Sequence, residues 1–141
     1  MNIEERQQEI IEEFGFFEDW MQKYEHIIEL GRSLPLIDPQ FKNDDHLIKG
    51  CQSRVWLNAT KTNDGRVEFT ADSDAIITKG MIALMIRVLS GLRPDVIAAA
   101  DLHFLKAIGL YEHLSPTRSN GLASMITQMK FYGLAFQGKE A

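Results

Sequence analysis

Apolar side chains in the first third of the chain recur every three to four residues, which is the spacing of an amphipathic helix. The pattern holds over residues 3–14 and again over residues 17–28. Gly31 and Pro35 follow the second stretch; glycine suits a left-handed helix cap, and proline lacks the N–H that a helix needs. We therefore predict two helices that end before a loop.

The middle of the chain changes to the two-residue alternation that is typical of strands. Residues 55–60 and 67–71 alternate apolar and polar positions, and the Asn-Asp-Gly of residues 63–65 favours a tight hairpin turn between them. Residues 35–45 contain two prolines and no hydrophobic period, so we expect a loop there. Residues 46–49 then fit one more short strand, and we predict a small three-stranded antiparallel sheet.

Helices dominate the second half of the chain. Residues 75–89 are apolar on nearly every side, which predicts a helix at the centre of the core. Ser73 or Asp74 is suited to cap the start of this helix. The last helix is predicted to begin at Ser115-Pro116, with the serine as its cap and the proline in its first turn.

Two shorter helices, near residues 95–100 and 102–108, are expected to connect the central helix to the last one. The order of elements predicts an α+β fold, in which the small antiparallel sheet is covered by helices. A length of 141 residues fits one domain, which we expect to span residues 1–141. A chain of this length buries roughly 68–70% of its unfolded surface, enough for a core without disulfides or metal.

Composition and charge exclude several classes of protein. The chain is 45% apolar and 25% charged, as in ordinary soluble globular proteins. Its net charge is −5 and its basic residues are scattered, which argues against nucleic-acid binding. The longest apolar run, residues 81–86, is far too short for a membrane span, and the N-terminus is acidic and polar. With one cysteine and no targeting segment, we expect a cytoplasmic protein whose thiol stays reduced.

Cys51 is the principal candidate for chemistry, and the residues alone leave two interpretations open. A free cysteine often behaves as a small buried hydrophobe. Here Gly50 precedes the cysteine, and Gln52 and Ser53 follow it, so its neighbours are polar or lack a side chain. The position also lies at a predicted strand junction, and rigidly supported loops commonly present reactive groups.

Four charged residues add to this picture. Lys49 and Arg54 flank Cys51, and a nearby cation lowers the pKa of a thiol by favouring the thiolate. Arg118 falls in the first turn of the last predicted helix, where a cation opposes the helix macrodipole. It is either an exposed side chain or a cation held near the thiolate or near an acidic partner, and Asp74 is either a helix cap or part of the same site.

Metal and hydrolase sites receive little support from the sequence. Asp44, Asp45 and His46 lie near Cys51, but their spacing matches no zinc pattern. An iron–sulfur cluster usually needs four thiolates, and this chain has one cysteine. A Cys–His hydrolase needs an imidazole beside the thiol, and no histidine here has a sequence context typical of one. We therefore predict no metal site.

Four stretches, in their order along the chain, resemble the SufE family, the sulfur-acceptor proteins of iron–sulfur cluster assembly. The stretch around the cysteine is Gly-Cys-Gln-Ser followed by Val-Trp-Leu, within residues 50–57. The others lie within residues 20–35, 72–80 and 113–122. The resemblance as a whole extends over nearly the whole chain. Arg54 departs from the pattern, since a family member has glutamine there. The added charge would shift the pKa of the thiol or change which partner the chain prefers.

The resemblance implies a fold like that of SufE and of the scaffold protein IscU, and a role in sulfur transfer. Cys51 would take persulfide sulfur from a cysteine desulfurase of the SufS or CsdA type and pass it to a scaffold such as SufBCD. Gly50, Gln52 and Ser53 would support the loop. The pyridoxal phosphate would belong to the desulfurase, so we expect no cofactor in this chain, no membrane or nucleic-acid partner, and a monomer.

The alternative to covalent transfer is a binding module that activates a desulfurase without using its cysteine. Because SufE and IscU share a fold, the fold alone does not separate a carrier from a cluster scaffold. The single cysteine does, since a scaffold needs several ligands and a carrier needs one nucleophile. The sequence therefore favours a carrier, with Arg118, Asp74 and Arg54 as further residues for partner docking or thiolate stabilisation.

Overall fold

A computed structural model describes residues 1–139 of the chain. Within these residues it contains seven α-helices and one antiparallel sheet, which confirms the predicted α+β class. In chain order the elements are α1 (Ile3–Gly15), α2 (Trp20–Arg32), 3-10 turns at Pro39–Phe41 and Asp44–His46, β1 (Val55–Lys61), β2 (Val67–Ser73), α3 (Ile76–Leu89), α4 (Pro94–Ala98), α5 (Phe104–Ala107), α6 (Leu110–His113) and α7 (Pro116–Lys139).

The sheet has two strands across residues 1–139, where the sequence predicted three. β1 and β2 pair along their whole lengths. The predicted third strand, residues 46–49, contributes only an isolated bridge between Leu47 and Trp56. The 3-10 turn at Asp44–His46 occupies its start, and Gly50 turns away at φ +93°. Too few residues lie between these two turns to form a ladder of hydrogen bonds with β1.

Helix α3 lies at the centre of the core, as its all-round apolar character predicted. Most of its side chains are buried, and it packs against α1, α2, α7 and β2. Because α3 is covered on every side, the only parts of it that can meet solvent or a ligand are its ends. Its first turn, which contains the 66% exposed side chain of Ile76, therefore becomes the part of α3 available for chemistry.

Gly31 has a different role from the predicted helix cap. It lies inside α2, which continues to Arg32, and its φ is not positive. A Cβ on Gly31 would stand 3.0 Å from the backbone nitrogen of Gly80 on α3, and a Cβ on Gly80 would collide with the backbone carbonyl of Ile27. The two glycines therefore let the backbones of α2 and α3 approach closely, which is why the interruption of the hydrophobic pattern at Gly80 does not end α3.

Two further differences concern short-range signals. Asp19 caps α2 by accepting a hydrogen bond from the amide of Gln22 at 2.9 Å, so the helix begins at Trp20, later than the apolar pattern that starts at residue 17. The structure also contains α6 (Leu110–His113), which the sequence did not predict, after Gly109 at φ +78°. Both boundaries are set by local backbone and cap geometry, which apolar spacing does not report.

The last helix, α7, begins where Ser115-Pro116 predicted. It buries Leu122, Met125 and Met129 against the core, while Phe131 and Leu134 are exposed. Among the described residues it is the longest helix, at 24 residues, and it exposes apolar side chains as well as burying them. Within the part of the chain that the structure describes, no helix is long and apolar enough to cross a membrane.

Replacing Gly80 with alanine tests the close approach of α2 and α3. The added Cβ meets backbone atoms of Ile27, which cannot move without displacing α2. We expect Gly80→Ala to lower the free energy of unfolding by about 1–3 kcal/mol, even though alanine favours helix more than glycine does. Urea denaturation followed by circular dichroism measures this. Gly15→Ala is the matched control, because nothing lies within 4 Å of the added atom, and it should unfold at or above the wild-type midpoint.

Candidate functional site

Cys51 is placed by a turn that only glycine makes without strain. Gly50 has φ +93°, in the left-handed region that side chains with a Cβ rarely adopt. A Cβ at this position would also collide with the side chain of Ser124 on α7. Gly50 thus brings the loop against α7 and turns the next residue towards the space between α7 and α3.

The thiol of Cys51 is half-buried at the edge of the core. Its Sγ donates a hydrogen bond to the carbonyl oxygen of Gly121 on α7, at 3.5 Å. A Cβ on Gly121 would stand 3.6 Å from this sulfur, an ordinary van der Waals distance, so the thiol lies directly against the backbone of α7. Burial raises the pKa of the Cys51 thiol, since the thiolate loses hydration. At neutral pH the thiol is therefore the main form in the isolated chain.

The expectation that Lys49 and Arg54 lower the pKa of the Cys51 thiol is wrong, because the shift is upward and burial is its cause. Both side chains are exposed and neither lines the cleft beside the thiol. Lys49 instead borders a separate hollow with Asp44 and Asp45. Proximity along the chain does not bring these cations to the sulfur, because the Gly50 turn and the start of β1 direct them outward.

A cleft of about 550 Å³ opens beside the thiol. Three segments form it: the cysteine loop, the start of α3, and the first turns of α7. Its lining combines hydroxyl groups and one cation with apolar side chains from the core. The residues that line it are Cys51, Gln52, Ser53, Ala75, Ile76, Ile77, Thr78, Met81, Ser115, Thr117, Arg118, Gly121 and Met125. The cleft has ample room for an atom or small group added to Sγ.

Arg118 stands at this cleft, in the first turn of α7. Its backbone N–H donates to the Oγ of Ser115 at 3.2 Å, which confirms Ser115 as the helix cap. Its guanidinium is exposed and makes no ion pair or hydrogen bond with the residues described. The structure therefore brings Arg118 and Cys51 to one cleft, with the cation unengaged at its solvent-facing side.

Asp74 holds the end of the cysteine loop and does not cap α3. Its Oδ1 accepts a hydrogen bond from the amide of Arg54 at 3.0 Å, and its own amide donates to the Arg54 carbonyl at 3.3 Å. The hydroxyl of Ser73 donates to the same carbonyl at 2.8 Å. The prediction that Ser73 or Asp74 caps α3 is wrong, because both side chains are engaged by the loop and the residue at the cap position is Ala75.

The sequence did not identify the start of α3 as part of the site. Ile76 and Thr78 both line the cleft, yet they fall within the predicted helix 75–89, whose apolar character predicted only core. The one available signal was Thr78, a hydroxyl between Ile77 and Lys79. Its meaning depends on which face of α3 meets Cys51, and helical periodicity does not specify that.

Histidines lie away from the thiol. His46 pairs with Asn43, His103 with Glu4, and His113 stacks on the ring of Trp20 with centroids 4.1 Å apart. No histidine lines the cleft within residues 1–139. A Cys–His pair for nucleophilic catalysis is therefore not formed among them. These residues also contain no group of three or more His, Cys, Asp or Glu side chains placed to hold a metal ion.

A family model described as SufE, an Fe-S metabolism associated domain, matches residues 8–132, which includes every segment of the cleft. The chain belongs to the SufE family. Membership confirms the resemblance in the sequence, and it implies a sulfur-transfer role in iron–sulfur metabolism with a cysteine desulfurase as partner.

Curated relatives agree with this family. An uncharacterised SufE-like protein of Rhizobium meliloti (strain 1021) is 38% identical over 126 residues, covering 86% of this chain and 90% of the relative. A second, from Rhizobium etli, is 37% identical over 126 residues and covers 86% of this chain and 85% of its own. The solution structure of a hypothetical protein from Thermus thermophilus aligns with a TM-score of 0.77 at 18% identity, over 94% of this chain and 96% of that one. At this identity the likeness supports the SufE-like fold alone.

The raised pKa of the Cys51 thiol predicts slow alkylation at neutral pH. Only the thiolate reacts, so the rate of reaction with iodoacetamide should rise with pH and reach its midpoint above the value of about 8.5 for free cysteine. Mass spectrometry of timed samples across a pH series measures this. Unfolded protein in urea is the control and should titrate like free cysteine. A folded-state midpoint below that of the unfolded chain would contradict the assignment of burial as the dominant effect.

Proposed function

We propose that this chain accepts sulfur as a persulfide on Cys51 from a SufS-type cysteine desulfurase and delivers it to an iron–sulfur scaffold of the SufBCD type. The Cys51 thiolate attacks the outer sulfur of the desulfurase persulfide. A new S–S bond forms on Cys51, the S–S bond on the partner breaks, and the partner's cysteine leaves as a thiolate. The sulfane sulfur keeps its oxidation state, so the transfer needs no oxidant or reductant.

The observation that carries this proposal is a single thiol beside a cleft with free volume. A buried structural cysteine would be surrounded by packed atoms, whereas Cys51 borders about 550 Å³ of open space. The chain has one cysteine, so an acceptor role is open to it and disulfide formation within the chain is not. Its neighbours in the cleft, including Met81 and Met125, would shelter an added sulfur from solvent.

Half-burial of Cys51 suits a carrier that should react only with its partner. A raised thiol pKa lowers the thiolate fraction in the free protein and limits reaction with unrelated electrophiles. Docking of a desulfurase would have to expose the thiol or favour its thiolate. Arg118 and Ile76, both exposed at the cleft, and Asp74, which holds the loop end, are the residues through which we propose this occurs.

Other features of the proposal follow from the same role. The pyridoxal phosphate would remain in the desulfurase, and this chain would need no cofactor of its own. We propose that it acts in the cytoplasm as a monomer that docks transiently. A desulfurase of the CsdA type could occupy the same position in the reaction as one of the SufS type, because both would present a persulfide to Cys51.

Sulfur acceptance is tested by incubating the chain with an active SufS-type desulfurase and cysteine, followed by mass spectrometry. We expect a gain of one sulfur atom on Cys51 that reductant removes, together with faster desulfurase turnover. Cys51→Ser, a near-isosteric change, should abolish both effects. If turnover stays stimulated by Cys51→Ser, the chain is instead a non-covalent activator. If no sulfur is gained by the wild-type chain beside an active desulfurase, the acceptor function is wrong.

Arg118 is tested by replacement with glutamine, which removes the charge at the cleft while retaining a polar side chain. We expect the rate of sulfur transfer at subsaturating protein to fall roughly two- to fivefold, as for an exposed ion pair of up to about 1 kcal/mol. The difference from wild type should shrink at high salt. Arg93→Gln is the control of equal charge, since Arg93 pairs with Asp95 away from the cleft. Equal losses in the two variants would point to net charge alone.

A further inference from the structure

Thr78 is a buried residue whose hydroxyl reaches the cleft and has no partner among the described residues. It is 8% exposed, lines the cleft beside Cys51, and forms no side-chain hydrogen bond with a described residue. A threonine inside a helix can donate to the carbonyl four residues earlier, but Thr78 does not. Since the Thr78 oxygen is not among the enclosed unpaired atoms, it opens into the cleft, where it is available to donate to a group that the cleft receives.

The backbone amides around Thr78 also lack hydrogen-bond partners among the described residues. Helix α3 begins without a side-chain cap, and the amides of Ile76, Ile77 and Thr78 donate to no residue within 1–139. These are the free donors at the positive end of the helix macrodipole. All three residues line the cleft. A hydroxyl donor and three amide donors therefore belong to one wall of the cleft, an arrangement that favours an anion.

Addition of sulfur to Cys51 creates such an anion. In the free thiol, Sγ donates its proton to the carbonyl of Gly121. In a persulfide the inner sulfur has no proton, so this hydrogen bond is lost, and the outer sulfur extends about 2.05 Å beyond Sγ. The outer S–H of a persulfide is more acidic than a thiol, so this atom is ionised at neutral pH. It then needs donors, and the Gly121 carbonyl offers only an acceptor.

We propose that the Thr78 hydroxyl and the free amides at the start of α3 bind the outer sulfur of the Cys51 persulfide. This inference rests on the proposed sulfur-acceptor function and assigns Thr78 as the residue that holds the transferred atom. Among the described residues, the only other charged or titratable side chain lining the cleft is Arg118. The guanidinium of Arg118 is exposed, so solvent and salt screen its field, whereas Thr78 is 8% exposed and lies at the inner side of the same cleft.

The test loads sulfur chemically, so that it does not depend on a desulfurase. The Cys51 thiolate takes one sulfur from sodium polysulfide, whose chain shortens by one atom, and excess reagent is removed by gel filtration. The persulfide is then alkylated with iodoacetamide across a pH series, and mass spectrometry separates the alkylated persulfide from the alkylated thiol. The pH midpoint of persulfide alkylation reports how well the outer anion is stabilised.

Thr78→Val keeps the shape of the side chain and removes the hydroxyl, while Thr78→Ser keeps the hydroxyl. We expect Thr78→Val to raise the pH midpoint by about one pH unit, as expected for loss of a hydrogen bond to a charged group, and Thr78→Ser to restore it. Thr127→Val, at a hydroxyl outside the cleft, should leave the midpoint unchanged. Thermal unfolding of each variant checks that the fold is retained.

An unchanged midpoint in Thr78→Val, or equal shifts in the valine and serine variants, would overturn the role of Thr78 while leaving sulfur acceptance from a desulfurase intact. A wild-type chain that polysulfide cannot load would overturn it as well. If Thr78→Val does not fold, Thr78→Ala and Thr78→Ser provide the same comparison of a side chain without and with the hydroxyl.

Discussion

The burial of α3 on all sides is the constraint on which the rest of the structure depends. A helix with apolar side chains around its whole circumference is stable in water only if other elements cover it. Helix α2 covers one side at backbone contact through Gly31 and Gly80, β2 covers another, and α1 and α7 complete the enclosure. Only the ends of α3 remain free, and its first turn opens beside Cys51.

One glycine and one backbone carbonyl convert this packing into a site. Gly50 turns the loop against α7, and the Gly121 carbonyl of that helix accepts a hydrogen bond from the thiol. The thiol consequently gains shelter and loses ease of ionisation, because the same contact that hides it from solvent also removes hydration from the thiolate. Shelter from solvent protects the labile sulfur atom of a carrier. The donors at the start of α3 would offset the unfavourable ionisation once the sulfur is bound.

The parts of this fold that sequence predicts well are those set by local pattern. The periodicity of residues 3–14 and 75–89 predicted α1 and α3, and Ser115-Pro116 predicted the start of α7. The parts that it predicted wrongly depend on contacts between distant residues. The sequence around Gly31 is typical of a helix cap, but in the fold Gly31 packs against Gly80. The third strand does not form, because the Gly50 turn leaves too few residues for it.

For the site, too, local sequence patterns were predictive, and features set by distant contacts were not. The Gly-Cys-Gln-Ser sequence and the family pattern pointed to Cys51, and they also pointed to Arg118, which the fold brings to the same cleft. The direction of the thiol pKa could not be predicted, because Lys49 and Arg54 are near in sequence while burial arises from α7, seventy residues away at Gly121. The position of Thr78 at the site could not be predicted for a similar reason, since the sequence of helix 75–89 does not show which of its residues line the cleft.

The likeness to a structure that shares 18% of its sequence separates what the fold supplies from what the residues supply. In this chain the backbone supplies a covered central helix with a free first turn. Two single positions bring the thiol to that turn: a glycine with positive φ at residue 50, and a carboxylate at residue 74 that holds the loop end through the backbone of Arg54. The loop is thus fixed by a few backbone contacts at its two ends, and the Cys51 side chain packs against the core and donates one weak hydrogen bond to the Gly121 carbonyl. Because that bond requires the thiol proton, ionisation or sulfur transfer removes it, and the chemistry of Cys51 itself releases one of the contacts of its resting position.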